Sequence, residues 1–335
     1  MYKVAINGLG RIGRATFKIV LERPDLEIVA VNDLVPAENL SYLLKYDSIY
    51  GRYNKTVGYD DDGLTVDGKH FKLLNEKDPA ALPWGELGID VVFECTGRFT
   101  SREDLEKHIK AGAKHAILSA PSKGKDMPTV IHGVNQPDGS VRVISCASCT
   151  TNCIAPVAEI MDRRIGVKKA IMTTVHAYTS SQTIVDLPSK KVRRGRAGAI
   201  NLVPTSTGAA KATSMALPQY EGKFDGIAVR APVPCGSVAD LVFLTKRPTS
   251  VEEVNTIFRE EARSERYNGI LGVTDDPIVS SDIIQDSRAS LVDAEMTQVV
   301  DGDLVKVISW YDNEWGYSNQ MVREAVEFLK LSEKV

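Results

Sequence analysis

The chain has 335 residues, more than the roughly 250 to 300 at which a single hydrophobic core stops growing, and we therefore expect two domains. Its 41 basic and 44 acidic residues give a formal net charge of -3, which excludes a global attraction to nucleic acid or to an anionic membrane surface. The five cysteines make a poor disulfide framework, and no apolar run reaches the roughly 18 residues of a membrane span, so we expect a soluble, cytoplasmic protein.

Short β-branched runs alternate with helical patterns through the first half of the chain. We predict strands at 3–6, 26–32, 91–93 and 115–118, and helices at 11–22 and 102–111. This alternation is typical of βαβ units and a parallel sheet, which places the protein in the α/β class. The polar, turn-rich stretch 48–74 predicts hairpins at the edge of that sheet.

After about residue 150 the apolar runs become longer. They predict strands at 169–176, 226–230, 239–245 and 304–310, and helices at 251–264 and 319–330. We expect an α+β domain with a mainly antiparallel sheet at 149–314, following a first domain at 1–148 on which a C-terminal helix at 315–335 packs back. The stretch 180–202 has little periodicity and predicts a long loop, and loops of that length are usually functional.

A glycine pattern follows the first predicted strand and opens the first predicted helix. Gly8, Gly10 and Gly13 have the spacing of a dinucleotide-binding loop, in which they allow a tight turn, close approach of a pyrophosphate and packing of helix on strand. Asp33 stands 20 residues beyond the last glycine, at the end of the next strand. An acid there accepts hydrogen bonds from ribose hydroxyls and repels a 2′-phosphate, so we predict a Rossmann-type domain that binds NAD rather than NADP.

Cys149 lies between a predicted strand at 141–144 and a helical stretch that runs to about 163. The positive end of a helix lowers the pKa of a thiol, which makes Cys149 the best candidate for a nucleophile. Cys153 stands one helical turn later and is interpreted as a buried packing residue. The clustered cysteines do not indicate a zinc site, because no second pair of Cys or His follows at a suitable distance.

His176 ends the predicted strand 169–176 and is the natural general base for this cysteine. Small hydroxyl and backbone donors at turns, together with arginines, suggest that the same region binds anions. These candidate anion donors are Ser148, Thr150, Thr179, Thr207, Gly208, Arg194, Arg196 and Arg230.

Over nearly its whole length the chain resembles the phosphorylating glyceraldehyde-3-phosphate dehydrogenases. The matching segments lie at 6–14, 31–33, 94–97, 119–121, 147–152, 176–179, 206–211 and 310–314, and the cysteine-centred segment is the most specific. The resemblance implies the oxidation of D-glyceraldehyde 3-phosphate to 1,3-bisphosphoglycerate with reduction of NAD, a step of glycolysis and gluconeogenesis. Cys149 would form a thiohemiacetal and then a thioester, His176 would take the proton, and inorganic phosphate would cleave the thioester.

The resemblance also implies roles for the anion and cofactor residues. Thr179 and Arg230 would hold the substrate phosphate, Arg194 would lie between the two anion sites, and the attacking phosphate would contact Ser148, Thr150, Thr207 and Gly208. Cofactor contacts would come from Arg11, Ile12, Asp33, Lys77, Ser119 and Asn313, the last orienting the carboxamide. In this family the loop 180–202 packs across a homotetramer interface, so a homotetramer is expected.

Three segments depart from the family pattern. Cys146 replaces the usual asparagine ahead of the nucleophile, the stretch 232–237 differs from the common strand sequence, and the loop at 193–196 is unusually basic. These departures leave the residues of the proposed chemistry in place.

The sequence leaves rival functions of two classes, namely other aldehyde dehydrogenases and binding proteins without catalysis. An erythrose-4-phosphate dehydrogenase shares the cysteine and the histidine but releases its product with water, and a semialdehyde dehydrogenase lacks the residues that follow Cys149. A dinucleotide-binding regulator or RNA-binding protein without catalysis predicts a damaged site, whereas Cys149 and His176 are both present. The basic stretch 190–196 lacks interleaved aromatic residues, which argues against nucleic acid as a partner.

Overall fold

A computed structural model describes residues 1–334, and the chain divides into two compact units. The first unit contains Met1–Val130, Pro137–Ala147 and the chain from Met321 onward, and the second contains Ile131–Gln136 and Ser148–Gln320. No helix within the described residues is long and apolar enough to cross a membrane.

The first unit is built on an eight-stranded sheet whose strands follow the order β10-β9-β8-β1-β2-β7-β6-β5. The pairs that join β10 through β7 in this order are parallel, whereas β5, β6 and β7 form the antiparallel hairpins that the sequence predicts at the edge. The strands are β1 (Tyr2–Asn7), β2 (Leu26–Asn32), β3 (Tyr46–Asp47), β4 (Gly51–Arg52), β5 (Val57–Tyr59), β6 (Gly63–Val66), β7 (Lys69–Leu74), β8 (Val91–Glu94), β9 (His115–Leu118) and β10 (Val143–Ser145), with β3 and β4 forming a separate small ladder.

Among residues 1–334, four α-helices belong wholly to the first unit. They are α1 (Arg11–Leu21), α2 (Ala37–Lys45), α3 (Trp84–Leu87) and α4 (Arg102–Lys110). The central strand β1 is apolar and fully buried at Val4, Ala5 and Ile6, as expected for a parallel strand covered on both faces. Because β2 and β8 lie on opposite sides of β1, the strand order reverses there, and such switch points are where open α/β sheets bind ligands.

The second unit contains a seven-stranded sheet in the order β12-β13-β11-β14-β17-β16-β15. Most of its neighbouring pairs are antiparallel, while β11 with β13 and β15 with β16 are parallel. The strands are β11 (Val167–Ala177), β12 (Val203–Ser206), β13 (Phe224–Ala231), β14 (Ser237–Thr245), β15 (Leu271–Thr274), β16 (Ser290–Val300) and β17 (Leu304–Tyr311), and the helices are α5 (Cys149–Arg164), α6 (Ala209–Ala216), α7 (Val251–Ala262) and α8 (Trp315–Ser332), which continues into the first unit.

Helix α5 is buried over almost its whole length, from Thr150 to Met161. Pro156 lies inside it, where we expect one missing backbone hydrogen bond, and the helix nevertheless continues to Arg164. The helix is held in the core by packing rather than by its own propensity, which explains why a proline is tolerated.

The fold class predicted from the sequence is confirmed, with a mainly parallel first sheet and a mainly antiparallel second one. The sequence analysis missed β12, β15 and β16. Strand β16 was missed because Asp293 and Glu295 interrupt its apolar pattern; Asp293 is nevertheless buried, and it accepts a hydrogen bond from Trp310 Nε1 at 3.1 Å.

Two glycines of the first loop differ in the space that surrounds them. A Cβ atom on Gly13 would lie 1.9 Å from the carbonyl oxygen of Gly8, whereas one on Gly10 would meet nothing within 4 Å. We expect Gly13→Ala to lower the free energy of unfolding by about 2 kcal/mol or more, because overpacking forces the loop and helix apart. The free energy of unfolding of Gly10→Ala should lie within about 1 kcal/mol of that of the parent, since the φ of -65° at Gly10 suits alanine. Urea denaturation measures both values. Equal losses for the two variants would contradict this account.

Candidate active site

Cys149 is the first residue of α5. Ser148 caps this helix, because its Oγ accepts a hydrogen bond from the N–H of Thr151 at 3.1 Å. A serine in extended conformation directly before the helix fixes where the helix begins and leaves the thiol at its positive end. The prediction that Cys149 stands at a helix start is therefore confirmed.

His176 lies next to the end of β11, and its Nε2 is 3.3 Å from the Sγ of Cys149. The imidazole is only 4% exposed. The contact joins residues 27 positions apart in the chain, through a turn from helix α5 into strand β11. A buried imidazole at this distance can exchange a proton with the thiol directly.

Arg230 lies opposite His176, because β11 and β13 pair in parallel with these two residues in register. Its Nη1 is 2.7 Å from Nδ1 of His176 and 3.0 Å from the carbonyl oxygen of Ala177, which itself is 2.7 Å from Nδ1. A guanidinium can only donate and a carbonyl can only accept, so Nδ1 can serve one of these neighbours at a time. The position of Arg230 therefore decides which ring nitrogen of His176 carries the proton.

Burial and positive charge both act against protonation of this histidine. Burial lowers the pKa of His176 to about 3, and the charges of Arg230 and Arg194 act in the same direction. Burial also raises the pKa of the Cys149 thiol, although Arg230 and the N–H groups at the start of the helix oppose that effect. In this arrangement the neutral thiol and the neutral imidazole are favoured.

A buried tyrosine, Tyr311, contacts the elements that carry Cys149 and His176. The Tyr311 hydroxyl lies 2.8 Å from Thr150 Oγ1 and 2.8 Å from Thr174 Oγ1, and its ring meets the imidazole of His176 edge to face at 5.9 Å between centroids. These bonds tie β17 to the first turn of α5 and to β11. The sequence analysis missed Tyr311 and Thr174. The one signal for Tyr311 was its position within the segment 310–314, which matches the family pattern.

The arginines near the histidine have different surroundings. Arg194 donates to Thr205 Oγ1 at 3.0 Å, and Arg230 Nε has no hydrogen-bond partner within residues 1–334, so both retain donors for an anion. Arg196 was predicted as an anion donor, but it pairs with Asp186 of its own loop at 2.7 Å.

The hydroxyl and backbone groups predicted as anion donors contact nearby residues or cap a helix. Thr179 Oγ1 lies 2.9 Å from Ser181 Oγ, Thr207 Oγ1 accepts from the N–H of Ala209, and Gly208 caps α6. Thr150 is only 4% exposed, and its hydroxyl is engaged with that of Tyr311. The direct contacts among the predicted residues are thus those of Cys149, His176 and Arg230.

The predicted dinucleotide loop of the first unit has the expected geometry. Gly8 has a φ of +94°, which favours glycine, and Gly10 faces open space that a pyrophosphate needs. Asp33 accepts hydrogen bonds from the N–H of Leu9 at 2.7 Å and from that of Val35 at 3.0 Å. Its carboxylate is therefore oriented beside the loop, and its remaining lone pairs are suited to ribose hydroxyls. These residues fit NAD.

The remaining predicted cofactor residues occupy varied positions. Arg11 pairs with Asp47 at 2.6 Å, Ile12 is half-buried in the first turn of α1, Lys77 is exposed, and Ser119 follows β9. In the second unit, Asn313 is buried and its Oδ1 accepts a hydrogen bond from Ser237 Oγ at 3.1 Å, which leaves the amide nitrogen directed elsewhere.

Over residues 1–334 no cluster of three or more Cys, His, Asp or Glu is arranged to hold a metal ion.

Comparison with known proteins agrees with both halves of this description. Residues 2–102 match the glyceraldehyde 3-phosphate dehydrogenase NAD binding domain, and residues 148–313 match the C-terminal domain of the same enzyme. The chain is 52% identical to a glyceraldehyde-3-phosphate dehydrogenase of Streptomyces coelicolor over 96% of each chain. It is 50% identical to one of Geobacillus stearothermophilus over 96% of each chain, and 49% identical to one of Clostridium pasteurianum over 99% of this chain and 100% of the relative. With two matching domain models and such coverage, the chain belongs to the glyceraldehyde-3-phosphate dehydrogenase family.

Proposed function

We propose that this protein oxidises and phosphorylates D-glyceraldehyde 3-phosphate to 1,3-bisphosphoglycerate with NAD as the oxidant. The observation that carries the proposal is the 3.3 Å contact between Cys149 Sγ at the start of α5 and His176 Nε2. A thiol with a base in contact and a helix N-terminus behind it is an arrangement for nucleophilic attack on a carbonyl. The relatives named above carry the name of this enzyme.

Cys149 attacks the aldehyde carbon as His176 Nε2 takes the thiol proton and passes it to the aldehyde oxygen, which gives a thiohemiacetal bound to sulfur and returns the imidazole to its neutral form. His176 then accepts the hydroxyl proton as the carbon is oxidised, which leaves a thioester. Bound NAD supplies the acceptor for the hydride at this step. Inorganic phosphate attacks the thioester carbon, the carbon–sulfur bond breaks, and the acyl phosphate leaves with Cys149 restored.

We assign the substrate phosphate to Arg230 and Thr179, with Arg194 between the two anion sites. The attacking phosphate is assigned to Thr207, Gly208 and the first turn of α5, where Ser148 and Thr150 lie. An anion that draws Arg230 away from Nδ1 and offsets its charge removes a force that lowers the pKa of His176. Substrate binding thereby makes the imidazole a stronger base at the moment when a base is needed.

The cofactor is assigned to residues 1–148, where Gly8, Gly10, Gly13 and Asp33 support it. In this role Arg11 and Ile12 contact the pyrophosphate through their backbone at the start of α1, and Lys77 and Ser119 contact other parts of the dinucleotide. Residues 149–314 then form the catalytic domain, with Asn313 orienting the nicotinamide carboxamide.

We further propose that the protein works as a homotetramer in the cytoplasm, without a membrane or nucleic acid partner. The loop 180–202 supports an assembly, because it exposes several large apolar side chains in the isolated chain. Ile184 is 85% exposed, Val192 is 82% exposed and Ile200 is 79% exposed. A surface of this kind is typical of an interface, and a partner subunit would bury it.

The nucleophile can be tested with two cysteines of the same helix. We expect Cys149→Ser to reduce aldehyde-dependent NADH formation at least about a hundredfold, because a hydroxyl at this position is a far weaker nucleophile. Cys153→Ser is the matched control: Cys153 is buried beside the Ser290 and Ser309 hydroxyls, and its replacement should leave most of the activity. Residual activity above about one percent in Cys149→Ser would contradict the assignment.

The role of Arg230 can be separated from its contact with His176 by comparing two substrates. For Arg230→Met we expect kcat/KM with glyceraldehyde 3-phosphate to fall roughly ten- to a hundredfold more than kcat/KM with unphosphorylated glyceraldehyde, because charge-assisted hydrogen bonds to the phosphate are lost. The control is Arg196→Met, since Arg196 pairs with Asp186 on an exposed loop. A loss that is equal for the two substrates would remove Arg230 from the phosphate site.

Inorganic phosphate distinguishes this reaction from one that releases an acid with water. In phosphate-free buffer we expect a burst of about one NADH per Cys149 followed by slow turnover, because the thioester accumulates. Added phosphate should restore steady turnover with saturation. Sustained turnover that ignores phosphate would instead support the erythrose 4-phosphate dehydrogenase reaction.

A further inference from the structure

A fully buried carboxylate ends β8 in the first unit and has no role in the chemistry proposed above. Glu94 is 0% exposed, and so are its neighbours His108 and Trp84. Among the described residues, its one ion-pair contact is with His108, at 3.1 Å between Oε2 and Nε2. Isolated buried charges are costly, so the hydrogen bonds around Glu94 must define its state.

Trp84 determines the state of the histidine. Its indole Nε1 lies 3.0 Å from His108 Nδ1. An indole N–H can only donate, and therefore Nδ1 accepts and the proton of the neutral imidazole lies on Nε2. His108 thus donates to Glu94 as an uncharged group and does not neutralise it.

Two asparagines approach Glu94 from the other side, and their orientation is fixed by the main chain. Asn32 Oδ1 accepts from the N–H of Glu76 at 2.9 Å, and its Nδ2 donates to Asn7 Oδ1 at 2.7 Å. Asn7 must then present its own Nδ2 to Glu94, and this bond is 2.6 Å long. Glu94 is again the acceptor.

The turn after β8 completes the set of donors. Both the backbone N–H of Thr96, at 2.8 Å, and the Thr96 hydroxyl bind Oε1 of Glu94. A carboxylate that accepts from an amide, an imidazole, a main-chain N–H and a hydroxyl is stabilised in its ionised form. The network therefore carries one negative charge, and that charge contributes, after burial, to the raised pKa of Cys95.

This charge lies at the cofactor edge of the sheet. Asn7, Asn32 and Glu94 end β1, β2 and β8, and the strand order reverses at β1. In folds of this type the adenosine half of a dinucleotide lies on the β2 side, beside Asp33, and the nicotinamide half lies on the opposite side. The turn held by Glu94 also touches the loop, since a Cβ on Gly8 would lie 2.8 Å from the Thr96 nitrogen.

We propose that Glu94 is a fixed, buried negative charge that makes the first unit bind the oxidised dinucleotide in preference to the reduced one. The nicotinamide ring is positive when oxidised and neutral when reduced, so only the oxidised form is attracted. The inference depends on NAD binding by this unit and not on the aldehyde chemistry of Cys149. At an effective dielectric constant of about 20, a unit charge that acts over roughly 10 Å changes the relative affinity for a charged and a neutral ring on the order of tenfold.

The test is a pair of binding titrations on the full chain, stripped of cofactor and without substrate. The dissociation constants of NAD⁺ and NADH are measured for the parent and for Glu94→Gln. We expect the ratio of the NADH constant to the NAD⁺ constant to fall about tenfold in Glu94→Gln. Glu103→Gln is the control, because Glu103 is an exposed carboxylate on α4, the helix that carries His108, and it should leave the ratio unchanged.

A second variant returns the charge to the network. Asn7→Asp combined with Glu94→Gln moves the carboxylate along the Asn7–Glu94 hydrogen bond. The amide at position 94 then donates to the carboxylate at position 7, which still accepts from Asn32, while His108 Nε2 loses its acceptor. For this double variant we expect the ratio of the NADH dissociation constant to the NAD⁺ dissociation constant to lie within about twofold of that of the parent. The double variant also tests the proposal if the single variant does not fold. Because its charge is restored, we still expect the parent's ratio of the NADH and NAD⁺ dissociation constants.

Equal weakening of both forms in Glu94→Gln, with an unchanged ratio, would reduce Glu94 to a structural role and overturn the proposal. A double variant whose ratio departs about tenfold from the parent would do the same. Neither result bears on the proposed reaction, which is judged by the cysteine and phosphate experiments. Failure of those experiments, in turn, leaves these titrations interpretable.

Discussion

A thiol attacks a carbonyl efficiently only when a base is placed to take its proton, and here that placement is the 3.3 Å contact between Cys149 and His176. The contact requires the first residue of α5 to meet the end of β11. Ser148 fixes the first of these positions by capping the helix, and the pairing of β11 with β13 and β14 on either side fixes the second. The helix cap and the strand pairing together hold these two atoms at this distance.

The same packing decides how the site is charged. The parallel register of β11 and β13 places Arg230 against the imidazole, where its guanidinium competes with the carbonyl of Ala177 for Nδ1. Burial makes every such charge more effective, since little water is present to screen it. Tyr311 adds rigidity, because its hydroxyl bonds Thr150 and Thr174 while its ring contacts His176. The proton positions in this site therefore depend on where the guanidinium of one arginine lies.

The first unit uses buried polarity in a different way. The ends of three parallel strands are joined through Asn32, Asn7 and Glu94, and the donors at both ends of this network are main-chain or indole N–H groups that cannot reverse. The network thus aligns the strand ends that border the dinucleotide loop. It also leaves a charge where only the oxidised cofactor can be attracted by it.

Sequence patterns predicted the positions of some residues of these sites and not of others. The helix start at Cys149 and the strand end at His176 were predictable, because a cap residue and an apolar run are local signals. Tyr311, Thr174 and Glu94 were not predicted, because their importance lies in partners that are more than ten and up to 161 positions away. Arg196 looked equivalent to Arg194 in the sequence, and only the contact with Asp186 separated them.

By itself the sequence determined the two classes of sheet, the glycine loop, the helix start at Cys149 and the strand end at His176, because each depends on periodicity, glycine spacing or position at the end of an element. Tertiary structure decided the register of β11 on β13, which sets Arg230 on His176, and the hydrogen bonds that give Glu94 its charge. The physical reason is that proton positions and charge states are set by the nearest polar atoms. In a folded chain those atoms come from segments that are remote in sequence.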